Sequence, residues 1–80
     1  MRLPRDLSGA QLIIALGKLG YRPTRQSGSH VRLTCDLPTQ HHLTVPLHDP
    51  LRIGTLAAAL SAVAEAHGIS RDELQRQILG

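Results

Sequence analysis

Aromatic side chains are almost missing from this 80-residue chain: it has no Trp and no Phe, and Tyr21 stands alone. The core must therefore be built from Leu, Ile, Val and Ala, and recognition by rows of stacked rings is poorly served. Cysteine is as scarce. A lone Cys35 cannot close an internal disulfide, which excludes a disulfide-stapled scaffold and fits a reducing compartment. No apolar run is long enough to span a bilayer, and Met1 is followed by Arg2 and Pro4 rather than by the apolar core of a signal peptide. We expect a cytoplasmic protein with no membrane partner. Length is the last shortage. Eighty residues support one modest core, so the reading is a single domain spanning 1–80, with no room for a multi-domain enzyme.

What is present is basic. The formal charge is +3 and the pI about 10.0, and Lys18 is the only lysine among the basic residues. Arginine forks match phosphate oxygens in pairs, so the balance leans toward a nucleic acid or an acidic protein as partner.

The pattern along the chain gives the order helix, three strands, helix, short helix. Ser8 and Gln11 have capping-box spacing, Leu7 can staple onto Leu12, and Gly20 supplies a left-handed stop, which predicts a helix over Gly9 to Leu19. From Tyr21 the period changes to two. Pro23 and the cluster Gln26-Ser27-Gly28 are expected to break up a first strand, while Ser29 to Cys35 reads as a second. On that second strand Val31, Leu33 and Cys35 share the packing face, and His30, Arg32 and Thr34 share the other. His41 to Pro46 reads as a third strand with Leu43 and Val45 inward, making an antiparallel meander. Leu56, Ala59, Leu60, Val63 and Ala64 then form the stripe of a second helix ending at Gly68. Ser70 and Glu73, with Ile69 against Leu74, start a last short helix running to about Ile78. The fold class is α+β.

Five histidines are the side chains that change charge near neutral pH, so acid–base chemistry is sought among them. His41 and His42 are neighbours on a strand, so they point to opposite faces and cannot both join one metal site; both read as solvent-exposed. No metal and no cofactor are expected. His67, just before Gly68, reads as an imidazolium capping the carbonyl end of its helix. His30 differs. It follows Gly28-Ser29 and shares a face with Arg32, so a phosphodiester there would meet an imidazole, a cation and the Ser29 hydroxyl. From spacing alone, a catalytic His30 and a His30 that merely ends a strand are equally good readings. His48 is a possible supporting group, either a second acid–base residue, a phosphate contact or the anchor of the loop into the second helix.

Several of these pieces, in order, resemble the HicA family of toxin–antitoxin systems. Lys18-Leu19-Gly20-Tyr21 is similar to the family's helix end followed by an aromatic residue, and Gly28-Ser29-His30 resembles its Gly-Ser-His signature. Val45-Pro46-Leu47-His48 resembles its Val-Pro-x-His, and Gly54-Thr55-Leu56 and Gly68-Ile69-Ser70 resemble the ends of its second helix. The resemblance implies a fold like a double-stranded RNA-binding domain and metal-independent cleavage of mRNA by the histidine of Gly-Ser-His, here His30. It also implies neutralisation by a HicB-type antitoxin covering the active surface. Gly28, Ser29, Arg22, Arg25 and Arg32 become the expected RNA contacts, with Arg52 beside them. Two departures stand out: the Gly54 to Gly68 span is about one helical turn longer than the family's, and Ala57 replaces a residue that is commonly basic there. A slow catalyst is expected, since one imidazole supplies one proton transfer. Two other readings are a non-catalytic RNA-binding module of the same fold and a protein-interaction subunit using its alanine-rich helix.

Overall fold

The computed structural model describes residues 3–80. Helix α1 covers Gly9–Leu16 and tightens into a 3₁₀ turn over Gly17–Leu19. Its start is the full capping box: Ser8 Oγ accepts from the Gln11 amide at 3.1 Å, and the Ser8 amide donates to Gln11 Oε1 at 2.9 Å. Gly20, at φ 92°, turns the chain out of the 3₁₀ segment. Strands β1 (Arg22–Ser27), β2 (His30–Cys35) and β3 (His41–Pro46) form an antiparallel sheet in the order β1-β2-β3. Helix α2 (Ile53–His67) ends at left-handed Gly68, and α3 (Arg71–Ile78) closes the described chain. Ser70 Oγ caps α3 by accepting from the Glu73 amide at 3.1 Å, while the Glu73 carboxylate pairs with Arg76 and Gln77.

The predicted first strand needs correction, because β1 runs unbroken from Arg22 to Ser27. Proline removes a ladder donor, and an edge strand beside a bulge tolerates that loss. Pro23 has both conditions: β1 is an edge strand, and its register slips between Pro23 and Arg25. The Gly28-Ser29 pair is the hairpin turn, since Ser27 pairs with His30. Gly28 has φ 57°, and among the described residues no residue other than glycine has positive φ, the pattern of a type II′ turn with glycine first.

The helices cover one side of the sheet. Leu12, Leu16, Leu33, Val45, Leu56, Leu60, Val63, Leu74 and Ile78 are buried in one cluster, drawing an aliphatic core from every helix and from β2 and β3. Lys18 Nζ donates to the Ile78 carbonyl at 3.0 Å and ties α3 to the 3₁₀ turn.

One close approach fixes how α1 meets the sheet. A Cβ on Gly9 would run into the Pro46 carbonyl, and the Gly9 amide donates to the His48 carbonyl at 2.9 Å. Glycine is needed there because helix and strand backbones touch. The loop into α2 is further held by the Leu51 amide donating to the Leu7 carbonyl at 2.8 Å.

Two histidine expectations also change. His41 is half-buried rather than exposed, with its Nε2 at 2.6 Å from the Tyr21 hydroxyl. His67 does sit in the last turn of α2, but its Nε2 lies 3.2 Å from the same hydroxyl. Burial, and then the nearby His41, hold His67 below its ordinary pKa, so the charge that a helix cap would use is disfavoured.

Candidate nucleic-acid interface

The face of the sheet away from the helices is laid out by cross-strand register. Residues paired across an antiparallel ladder share a face, so β2 divides it into rows. The first row is Ser27, His30 and Pro46; the second is Arg25, Arg32 and Thr44; the third is Arg22, Thr34 and His42. Arg22, Arg25 and Arg32 thus come together on one face with His30, although two of them lie on a different strand from the histidine.

The third row is closed off. Thr34 is 4% exposed, and its hydroxyl is 2.7 Å from Thr24 Oγ1 and 2.9 Å from His42 Nδ1. Thr24 occupies the bulge that the sequence pattern did not show, and its hydroxyl also reaches the Arg32 carbonyl at 3.3 Å. Arg22 there is bound to Asp36, with Nη1 to Oδ2 at 3.0 Å. Hydrogen bonds from Gln40 and then Arg22 hold the Asp36 carboxyl below its ordinary pKa. The expectation that Thr34 belongs to an open working face is therefore narrowed to the His30 half of the strand.

That half carries unspent positive charge. Arg25 and Arg32 stand directly opposite each other, and among the described residues neither has an acidic partner. Arg32 Nε is buried with no acceptor. Like charges facing each other across a ladder cost stability, as does an unsatisfied buried donor. A fold keeps such groups most readily where an anion later answers them.

His30 itself is exposed, at the first position of β2 after the turn. Next to it, the Ser29 carbonyl accepts from the Leu47 amide at 2.7 Å, so pairing continues one step beyond Pro46. His48 lies two residues past Pro46, the partner of His30, and beyond the end of β3. His48 is also exposed, and its backbone carbonyl rather than its ring does the anchoring to Gly9. A Cβ on Gly28 would meet nothing within 4 Å, and its left-handed backbone shapes the turn. Arg52 belongs to the cap of α2, outside these rows.

An open basic sheet face, headed by an imidazole and backed by helices, defines a small α+β domain suited to anionic ligands. The family model of the HicA toxin of bacterial toxin–antitoxin systems matches residues 9–64, from the first residue of α1 through most of α2. The chain belongs to that family, and its role is that of a toxin whose natural partner is an antitoxin. No curated protein and no solved structure matches it. Among the described residues no single helix is long and apolar enough to cross a membrane.

Proposed function

We propose that this toxin is an endoribonuclease that cuts mRNA without a metal, with His30 as its proton-transfer group. The observation that carries the proposal is the exposed His30 at the head of β2, one row from the uncompensated Arg25–Arg32 pair. Cleavage within an RNA strand begins when a base removes the proton of a 2′-hydroxyl. The 2′-oxygen then attacks phosphorus, the bond to the 5′-oxygen breaks, and that oxygen takes up a proton. His30 is placed to serve as base, and the two guanidiniums to steady the crowded phosphorane, whose extra charge they meet without reorganising. The Ser29 hydroxyl extends the contact along the backbone beside the Gly28 turn, whereas Arg22 is engaged by Asp36 and stands apart from it.

His48 is the candidate for the second proton transfer. Catalysis rests on few groups, so turnover should be slow compared with a nuclease carrying a full acid–base pair. A HicB-type antitoxin would neutralise the toxin by covering the His30 half of the sheet, with acidic side chains answering Arg25 and Arg32.

The test compares wild type with His30→Ala, both confirmed folded, on a mixed mRNA substrate in EDTA. Cleavage by wild type alone supports the proposal. If neither protein cuts while both bind RNA, the chain is a binding module; if both cut equally, the catalytic group lies elsewhere.

A further inference from the structure

A second cluster of reactive side chains lies at the opposite end of β2. Cys35 closes that strand, His41 opens β3, His67 ends α2, and Tyr21 precedes β1. Their donor atoms converge: one ligand atom each from Cys35, His41 and His67 lies within 4.8 Å of the others. The Tyr21 oxygen sits between the imidazoles, at 2.6 Å from His41 Nε2 and 3.2 Å from His67 Nε2. The rings pack edge to face, with the two imidazole centroids 5.7 Å apart.

The hydrogen bonds say which atoms hold protons. The single Tyr21 hydroxyl hydrogen goes to His41 Nε2, so His67 Nε2 donates its own hydrogen to the Tyr21 oxygen and must pass that proton to Nδ1 before it can bind a metal. His41 Nδ1 is 2.7 Å from the Thr39 carbonyl, which can only accept, so Nδ1 carries the hydrogen and Nε2 presents a lone pair to the cluster. A backbone carbonyl holding the far nitrogen is the arrangement that orients a metal-ligating histidine. Cys35 is 1% exposed, which keeps its sulfur from pairing with another chain. Burial, and then the Cys35 sulfur, push the Tyr21 hydroxyl up to about 12, so it stays a neutral donor while no cation is near.

We infer that Cys35 Sγ, His41 Nε2 and His67 Nε2, with the Tyr21 oxygen as fourth donor, form a binding site for a single soft divalent cation of the zinc type. A tetrahedral set at zinc bond lengths needs donors roughly 3.3–3.6 Å apart. The donors start within 4.8 Å of one another, so binding requires the side chains to draw in on the ion and the Cys35 sulfur to leave the Leu19 and Leu37 carbonyls. Binding replaces the thiol proton of Cys35, which leaves to solvent, and involves no redox change. The ion would latch the end of α2 to β2 and β3 in a core otherwise made of aliphatic groups. The site lies five residues along β2 from His30, roughly 17 Å away at strand spacing, and on the other face. It is separate from the proposed cleavage chemistry, and it goes beyond the sequence reading, which paired His41 only with His42.

The test is a titration of the metal-free full chain with Co(II). The expected result is a thiolate-to-cobalt charge-transfer band with the visible bands of tetrahedral cobalt, saturating at one ion per chain and displaced by Zn(II). Because the chain has one cysteine, the charge-transfer band reports Cys35 and not adventitious binding at His30, His42 or His48. Zinc at about a hundredfold excess over its Kd should raise the melting midpoint by roughly 10–20 °C. His67→Gln and His41→Gln should each weaken cobalt binding at least tenfold. No charge-transfer band in folded wild type, half an ion per chain, or unchanged affinity in both histidine variants would overturn the site.

Discussion

Replacing Gly9 by alanine should harm this protein more than any other single methyl group added to a helix. The new Cβ would fall inside the contact radius of the Pro46 carbonyl oxygen, and at 3.0 and 3.1 Å from Pro46 C and Leu47 Cα. All three atoms are backbone, so no side chain can swing aside. Helix and strand must separate by on the order of 1 Å, which stretches the bond from the Gly9 amide to the His48 carbonyl. Overpacking costs about 1–3 kcal/mol and a weakened hydrogen bond about 1 kcal/mol, against about 0.5–1 kcal/mol gained from alanine's helix preference. The net is a loss of about 1–3.5 kcal/mol, or roughly 5–25 °C in melting midpoint for a chain of this size. Gly17 is the control. It has αR backbone angles and nothing within 4 Å of a built Cβ, so Gly17→Ala should be neutral or stabilise by up to about 1 kcal/mol. Thermal and urea unfolding followed by circular dichroism measure both. If Gly9→Ala melts within a degree or two of wild type, the close approach of α1 to β3 is not real.

Arg25→Ala and Arg32→Ala should each weaken RNA binding on all sequences and lower the slope of log K against log salt by about 1; an unchanged slope would remove that arginine from the interface. An NMR titration should place the Asp36 carboxyl below 3.8, with Gln40→Ala raising it. Because its folded pKa is depressed, the stability that Asp36 adds is present above 3.8 and lost as pH falls through the lowered value; acid unfolding of Asp36→Asn that tracks wild type would show no such contribution. His48→Ala should slow cleavage at least tenfold while leaving the melting midpoint in place, since the loop is anchored by its backbone carbonyl. A fall in stability with full activity would reverse that assignment.

The elements easiest to read in the sequence were those whose signals are local. Ser8 and Gln11 cap α1 within one turn, Gly20 and Gly68 stop their helices, and the alternation of Val31, Leu33 and Cys35 marks a strand with one buried face. Each depends on neighbours a few residues apart. The unbroken β1 was not legible, because whether Pro23 ends a strand depends on its being an edge, which only pairing decides. His41 and His67 were misread for the same reason. They are 26 positions apart, and only the packing of α2 against the sheet brings both to Tyr21. Polar residues at strand and helix ends look exposed in a sequence, and nothing local marks the ones that meet. Arg25 and Arg32 face each other through a two-residue turn, a pairing that a sequence reading with the first strand broken does not draw.

The burial of Thr34 explains how one short strand can serve two ends. Its hydroxyl is held by Thr24 from one side and His42 from the other, which fills the middle of the open face with small polar groups satisfied among themselves. There the Thr24 and Thr34 hydroxyls are already engaged. Toward the turn, exposed Arg25 and His30 stand beside half-buried Arg32, and negative charge there would offset the repulsion between the two guanidiniums. Toward the far end, the chain dips into the layer between sheet and helices, where Cys35 and Tyr21 are buried beside two half-exposed imidazoles. On the proposed function, an RNA strand or an acidic antitoxin would meet the turn end of β2, and the Cys35 cluster at the far end would compete for neither.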